Sequence, residues 1–139
     1  MSDEQEMDMK NRIIEWEDTF RGMQTKAREL TGDYKMLSQT EISIISNNIE
    51  ALNDEVWRLE SFTAALNPFR VKTDQFLIYA KEIKNICRIN YWNDLLVRAT
   101  TNYDTALAFK AELNIQHQAF KSTRSCVKSY ITSLITRKY

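Results

Sequence analysis

Apolar residues recur at alternating spacings of four and three residues near the start of the chain. The series runs from Met9 through Trp16 and Phe20 to Leu30, and most positions between them are polar or charged. Because an α-helix makes one turn every 3.6 residues, this spacing places the apolar side chains on one face of a helix. The pattern therefore predicts a helix over residues 3–31 that packs its apolar face against other helices.

The segment around Gly32 predicts the end of this helix. Glycine readily adopts a positive φ, which is the conformation of many helix C-caps. A few residues later, Ser38 and Glu41 have the spacing of a capping box, in which the two side chains bind backbone amides at the start of a helix. We therefore expect a bend near residues 32–38 and a new helix from residue 39.

A second apolar series begins at Ile42 and continues to Leu66, and it predicts a helix over residues 39–66. Proline disfavours the helical conformation in the residue before it, so Asn67 and Pro68 predict the end of this helix. The next helix is therefore expected to begin on the far side of the proline.

The remainder of the chain, residues 69–139, contains neither glycine nor proline. Such a stretch can stay helical for many turns, and its apolar positions predict helices over residues 73–120 and 122–137. Asparagine and threonine side chains compete with the helix backbone for hydrogen bonds. Clusters of these residues predict a kink or a short loop near residues 88–93 or 100–102, and another could lie around residues 121–125.

These helices predict an all-α fold: an elongated three- to four-helix antiparallel bundle or coiled coil with long, kinked helices. The chain has two glycines and one proline, which is too few for the many turns of an all-β fold. We expect residues 1–139 to form a single domain, since no stretch has the composition of a linker. The predicted seam, which would close the bundle or join two copies of the chain, consists of Ile13, Trp16, Phe20, Ile45, Ile49, Leu52, Val56, Trp92, Leu96 and Tyr103.

The net charge of zero conceals an uneven distribution along the chain. Residues 1–69 hold fourteen acidic and seven basic side chains, a net charge of −7, and residues 70–139 hold five acidic and twelve basic, a net charge of +7. The two halves can attract each other within one bundle or dimer, or the basic half can face anionic lipid or nucleic acid. The candidate residues for binding a membrane or another partner are Lys110, Lys121, Arg124, Lys128, Arg137 and Lys138.

Residues that could support catalysis are few. His117 is the only histidine, and it lies nine residues from Cys126, which places the two side chains on opposite faces of a helix. Cys87 falls on an apolar stripe and is expected in the core. Carboxylate pairs lack the histidines that di-iron bundles use, and there is no glycine-rich phosphate loop. We therefore expect no enzymatic activity, no metal or other cofactor and no small-molecule substrate.

The three tryptophans, Trp16, Trp57 and Trp92, lie on or beside apolar stripes. We expect them to pack in the core, since a stacking surface for nucleic acid would interleave exposed aromatic residues with basic ones. Two cysteines cannot form a disulfide framework, and no apolar run approaches the roughly 20 residues that cross a membrane. The expected location is therefore cytoplasmic, and nucleic acid is not an expected partner.

Residues 76–88 and 91–96, FLIYAKEIKNICR and YWNDLL, resemble the second helix of BAR domains of the sorting-nexin type. Residues 27–66 look like the first helix of that domain, and residues 120–131 like part of its last helix. The resemblance implies a helical homodimer that lies on endosomal membrane and binds anionic, curved lipid through basic side chains. The chain is shorter than the family's domain, chiefly in the last helix, and we expect this to affect curvature binding more than dimer formation.

Residues 49–70, which include Trp57, Asn67 and Pro68, are similar to the N-terminal three-helix domain of syntaxins of the Golgi–endosome type. This second resemblance implies a regulatory bundle that binds other helical proteins. Two hypotheses for the function therefore stay open. One is a BAR-like dimer that binds anionic membrane, and the other is a coiled-coil adaptor or subunit of a larger assembly.

Overall fold

The computed structural model describes residues 2–137, with Ser2 described by its backbone alone. Four helices follow one another along the chain: α1 (Ser2–Asp33), α2 (Gln39–Ile44), α3 (Ile49–Ile89) and α4 (Asn93–Arg137). No strand occurs within residues 2–137, so the predicted all-α helical bundle is confirmed.

The helices α3 and α4 form an antiparallel hairpin. Asp74 pairs with Lys110 at 3.0 Å. Glu60, which lies earlier on α3, pairs with Arg124, which lies later on α4, at 2.9 Å. Because α4 has 45 residues, a rise of 1.5 Å per residue gives it a length of about 67 Å. The hairpin is therefore elongated.

The helix α1 lies along this hairpin and runs antiparallel to α3. The indole Nε1 of Trp16 donates a hydrogen bond to the carbonyl of Phe76 at 3.0 Å. Tyr34, just after α1, packs against Phe62 with a distance of 4.4 Å between ring centroids. Since Phe62 precedes Phe76, the two helices have opposite directions. The short helix α2 continues the same layer, with Ile42 buried in the common core.

The interior of the bundle is built on a seven-residue repeat in the two long helices. Every seventh residue from Leu52 to Cys87 on α3, and from Ala99 to Val127 on α4, is at most 2% exposed. A repeat of seven is the pattern of coiled coils, in which each seam side chain fills a hole between residues of the facing helix. The repeated positions are Leu52, Leu59, Leu66, Thr73, Ala80 and Cys87 on α3, and Ala99, Ala106, Leu113, Phe120 and Val127 on α4.

Pro68 does not end a helix, because α3 continues through it from Ile49 to Ile89. The predicted boundary at this proline is therefore wrong. A proline inside a helix lacks one amide donor and costs about 3 kcal/mol. Leu66 and Thr73, on either side of it, are fully buried, and only an uninterrupted helix places both in the same core. Pro68 itself faces solvent, where the carbonyl left without a partner can be hydrated.

The predicted helix over residues 39–66 is also divided near its beginning. The helix α2 ends at Ile44, and residues 45–48 redirect the chain before α3. Asn48 explains the break, because its side-chain oxygen accepts a hydrogen bond from the amide of Ala51 at 3.1 Å and caps α3. Asparagine favours helix caps over helix interiors for this reason.

The helix α1 ends at Asp33, within the bend predicted near residues 32–38, but Gly32 does not cap it. It lies inside α1 and does not have the predicted positive φ. After α1 the chain extends so that Tyr34 enters the core. The predicted capping box is present at the start of α2, where the amide of Glu41 donates to the hydroxyl of Ser38 at 3.1 Å.

The predicted helix over residues 73–120 is divided by a tight turn. Residues 90–92 reverse the chain between α3 and α4, at the position of the kink predicted near residues 88–93. Tyr91 has a φ of 58°, in the left-handed region that few residues other than glycine adopt. The chain therefore reverses direction at a position where the sequence pattern predicted a kink or a short loop.

The helix α4 lacks the kink predicted near residues 100–102 and the boundary predicted before residues 122–137. The hydroxyl of Thr100 donates to the carbonyl of Leu96 at 2.7 Å. Because this hydroxyl bonds back to the preceding turn of its own helix, it does not draw the backbone away from helical hydrogen bonding. The helix therefore continues without interruption to Arg137.

Candidate binding surfaces

Four of the ten residues predicted to form a seam are buried within a single chain, and the other six are half-buried. Most of this surface is therefore used by packing within one copy of the chain. Surfaces for association must therefore be sought on the outside. Ile13, Trp16, Phe20 and Leu52 are buried, and Ile45, Ile49, Val56, Trp92, Leu96 and Tyr103 are half-buried.

Three of the six predicted basic binding residues pair with carboxylates of α3. Lys110 Nζ lies 3.0 Å from Asp74. Arg124 Nη2 and Lys128 Nζ lie 2.9 Å and 3.8 Å from the same oxygen of Glu60. Exposed ion pairs of this kind contribute about 0–1 kcal/mol to stability. Their main effect is to neutralise part of the basic face.

Two further residues of this set carry unpaired charge. Lys121 and Arg137 are exposed, and no carboxylate of residues 2–137 lies within 4.0 Å of either one. They are sixteen residues apart on α4, or about 24 Å along the helix. Lys138 lies outside the described residues. The described members of the set therefore do not form one compact, unpaired basic patch.

Glu17 fixes α1 against α4. Nη2 and Nε of Arg98 donate to its two carboxylate oxygens at 2.6 Å and 2.8 Å, and Asn102 Nδ2 donates at 2.9 Å. The hydrogen bonds from Arg98 lower the pKa of Glu17, and Asn102 adds to this effect, while partial burial opposes it. This bidentate contact sets the position of α1 along the hairpin.

A groove follows the outer side of the α3–α4 hairpin. Two adjoining cavities of about 320 Å³ and 330 Å³ meet at Asn67. Arg70 of α3 lines the first, and His117 and Lys121 of α4 line the second. Nη2 of Arg70 donates to Asn114 Oδ1 at 3.3 Å. Arg70 Nε and His117 Nδ1, by contrast, are buried without a hydrogen-bond partner among the described residues.

The outward-facing side of α3 carries a line of apolar residues, here called the α3 stripe. Trp57, Val71 and Ile78 are 71%, 51% and 62% exposed, and Ala64 between them is also exposed. The predicted core position of Trp57 is therefore wrong. Trp57 follows the buried Leu52 by five residues, which is about 140° around the helix. The seven-residue spacing of the stripe was the signal that would have revealed it.

The two cysteines differ in burial, since Cys87 lies in the core and Cys126 is half-buried. Cys87 is buried, and burial raises the pKa of its thiol, with the charge of Glu6 acting in the same direction. A raised pKa keeps the thiol protonated and unreactive. Within residues 2–137, no three His, Cys, Asp or Glu side chains are grouped so as to hold a metal ion. None of the helices described is both long and apolar enough to cross a membrane.

Comparisons with protein-family models, with curated proteins and with solved structures found no match to this chain. The resemblances to BAR domains and to syntaxins therefore stay predictions. Function has to be inferred from the outer surfaces of the bundle.

Proposed function

We propose that the protein is a helical scaffold without enzymatic activity, and that it binds a second copy of itself through the α3 stripe. The observation that carries this proposal is the exposure of Trp57, Ala64, Val71 and Ile78 along one line of the helix. Single exposed apolar residues are common on soluble proteins, whereas four that recur at every seventh position along one helix face indicate a candidate interaction surface. Tryptophan in particular is enriched among the residues that dominate binding energy.

The charges beside the stripe favour a second copy as the partner. Asp54 and Lys81 flank its two ends, are both exposed, and have no ion pair within residues 2–137. In an antiparallel pair with its two-fold axis beside Pro68, Asp54 of each copy lies opposite Lys81 of the other. Trp57 then lies opposite Ile78 of the other copy. The surface is therefore complementary to itself in both charge and apolarity, as a two-fold interface requires.

The size of the stripe indicates the strength of the association. From Trp57 to Ile78 is 21 residues, or about 31 Å of helix. A contact along one helix face of this length buries less than the roughly 1,200–2,000 Å² of a standard protein interface. Near the axis, the short side chains of Ala64 and Val71 let the two helices approach closely. We therefore expect a reversible dimer at micromolar or higher concentrations.

Analytical ultracentrifugation of the full chain over a wide concentration range tests the proposal. The unmodified protein is expected to pass from monomer to dimer as its concentration rises. Ile78→Glu places a charge in the stripe and is expected to leave a folded monomer. Ile115→Glu is the matched control, because Ile115 is 70% exposed but lies on α4. A chain that stays monomeric at every concentration, or a dimer that Ile78→Glu leaves intact, would overturn the proposal.

Binding to anionic membrane, as the BAR resemblance implies, is a second proposal. It is supported by the unpaired charges of Lys121 and Arg137, each of which can contribute about 1 kcal/mol near an anionic surface. Vesicle flotation tests it: acidic vesicles should carry more protein than neutral ones, and the double variant Lys121→Glu/Arg137→Glu should abolish the difference. The double variant Arg12→Glu/Lys26→Glu, with equal charge change on α1, is the control. Equal flotation with both vesicle types would contradict membrane binding.

A further inference from the structure

We propose that the groove between α3 and α4 binds a phosphate group, held by Arg70, His117 and Lys121. Val71 and Ala64 of the α3 stripe also line the two cavities, but every proposed phosphate ligand comes from one chain, so the site does not require self-association. Arg70 comes from one helix of the hairpin and His117 and Lys121 from the other, so the three side chains reach the groove from both sides. Arg70 reaches α4 one turn before His117, since its Nη2 donates to Asn114 at 3.3 Å, and Lys121 follows His117 by four residues, one turn further along the same helix. The two cavities that these residues line meet at Asn67.

The balance of charge in the groove leaves two cations without a counter-charge. Asp74 and Glu60 already pair with the other lysine and arginine residues along the hairpin. Arg70 and Lys121 have no carboxylate of residues 2–137 within 4.0 Å. Uncompensated positive charges along one partly buried groove are unfavourable, and a bound anion reduces this cost. Burial, together with the charges of Arg70 and Lys121, also lowers the pKa of His117.

The hydrogen bonding of the groove is incomplete in the same place. Arg70 Nε is a buried donor without a partner among the described residues, and His117 Nδ1 is likewise buried and unpartnered. Buried polar atoms in folded proteins nearly always have a partner, so each exception needs an explanation. An oxyanion supplies acceptors for both atoms once His117 is protonated. Small side-chain movements are enough to open these atoms to it, since both residues are only half-buried.

Phosphate fits this site better than a carboxylate does. A phosphate monoester carries about −1.5 to −2 charges at pH 7, which matches the two uncompensated cations. Its three free oxygens can accept from donors that converge from several directions. The fork of an arginine guanidinium is also well suited to bind phosphate. The phosphate can belong to a small free molecule or to a lipid headgroup, and the chemistry of recognition is the same.

The single histidine of the chain makes a specific test possible. Because His117 is the only histidine, the imidazole resonances in an NMR spectrum of the full chain report on this groove alone. Titration with inorganic phosphate at constant ionic strength is expected to shift these resonances saturably and to raise the pKa of His117. The raised pKa has a simple cause: the anion offsets the positive charges of Arg70 and Lys121. Acetate at the same ionic strength is expected to bind with an apparent affinity at least tenfold weaker than that of phosphate.

Variants separate binding at this site from general charge effects. Arg70→Gln and Lys121→Gln are each expected to weaken phosphate binding at least tenfold while the helical circular dichroism signal stays unchanged. Arg12→Gln, which makes the same charge change on an exposed residue of α1, should bind as the unmodified protein does. If Arg70→Gln lowers the helical signal, Lys121→Gln alone decides, since Lys121 is exposed.

Vesicles distinguish the two sources of the phosphate. The source can be a lipid headgroup. In that case, phosphatidylcholine vesicles that contain a phosphatidylinositol phosphate should shift the His117 resonances at a far lower concentration of that lipid than the concentration of inorganic phosphate needed for the same shift. If the source is a small molecule, inorganic phosphate should act at least as strongly as the vesicles. The proposal is overturned if phosphate and acetate shift the His117 resonances with equal apparent affinity. It is also overturned if Arg70→Gln and Lys121→Gln bind phosphate as tightly as Arg12→Gln does. Neither result would bear on dimer formation, which Ile78→Glu tests separately.

Discussion

The hydroxyl of Tyr34 donates a hydrogen bond of 3.0 Å to the carboxylate of Glu55, which is only 5% exposed. Arg58 completes the arrangement: its Nη1 lies 3.5 Å from the second oxygen of Glu55, and its guanidinium lies 4.8 Å from the centroid of the Tyr34 ring. A carboxylate can be buried without a large cost only where it is paired and hydrogen-bonded. Burial and the contact with Glu55 raise the pKa of Tyr34, so the hydroxyl remains a donor. The three residues therefore tie the end of α1 to α3.

The first prediction concerns this contact. Tyr34→Phe removes one partner of a buried carboxylate and is expected to lower the free energy of unfolding by about 1–3 kcal/mol. Urea denaturation followed by circular dichroism measures the change. Tyr79→Phe is the control, since the Tyr79 side chain is 40% exposed, and it should change stability little. Equal effects of the two substitutions would mean that the hydrogen bond to Glu55 does not stabilise the bundle.

The second prediction concerns acid stability. The pKa of Glu17 is lowered in the folded state, mainly by the hydrogen bonds from Arg98. The contact therefore stabilises the fold above the ordinary carboxyl pKa of about 4.3, and the stabilisation is lost as the pH falls through the lower, folded-state value. Glu17→Gln is expected to cost about 1 kcal/mol at neutral pH. Its stability should also fall less steeply between pH 5 and pH 3.

Glu15→Gln is the control for this experiment, because Glu15 is exposed on the same helix and has no ion pair among the described residues. Its unfolding free energy should follow the pH in the same way as that of the unmodified protein. If Glu17→Gln retained the full acid dependence, the bidentate contact with Arg98 would not be the source of it.

The third prediction tests the continuity of α3. Pro68→Ala restores an amide that can bond to the carbonyl of Ala64, so it is expected to stabilise the fold by roughly 1–3 kcal/mol. If the helix ended before the proline instead, the same substitution would be neutral or destabilising, because a proline in a loop reduces the entropy of the unfolded chain. Ser61→Ala is the control, since Ser61 is an exposed helical position seven residues before Pro68. It should change stability by only a few tenths of a kcal/mol. Thermal and urea unfolding measure both.

The helix boundary predicted at Pro68 is wrong because the seven-residue repeat on either side outweighs the local effect of the proline. The rule that a proline ends a helix holds where nothing opposes it. Here the seven-residue repeat passes unbroken from Leu66 to Thr73, and the burial of both residues offsets the cost of the proline. The repeat was present in the sequence. The apolar series alone did not reveal it, because Thr73 is polar and its hydroxyl bonds to the carbonyl of Phe69 at 2.7 Å.

The candidate sites were less predictable than the helices for a different reason. The basic residues could be identified from sequence, but their partners could not. The ion pair between Lys110 and Asp74 depends on how α3 and α4 align along each other, and the turn at Tyr91 sets that alignment. The sequence pattern predicted a kink or a short loop there, which does not determine this alignment. For the same reason, nothing in the sequence placed Arg70 beside His117.

The last prediction concerns the pairing of charges between two copies. Asp54→Lys would place positive charges opposite each other at both ends of the proposed antiparallel contact, so the dimer should dissociate roughly tenfold more readily. The double variant Asp54→Lys/Lys81→Asp exchanges the two charges and should restore the affinity, because opposite signs again face each other. Sedimentation equilibrium measures each constant.

Asp104→Lys makes the same change in net charge on an exposed position of α4, and it should leave dimer formation unaffected. A general effect of net charge would weaken the dimer with Asp104→Lys as much as with Asp54→Lys, so this control separates it from the loss of pairing between Asp54 and Lys81. A parallel arrangement of the two α3 helices would instead place Asp54 beside Asp54. In that case Asp54→Lys would replace one repulsion by another, and both this variant and Asp54→Lys/Lys81→Asp would dimerise as the unmodified chain does. A loss of affinity with Asp54→Lys that Lys81→Asp reverses therefore distinguishes an antiparallel dimer from a parallel one and from any contact that does not involve these two residues.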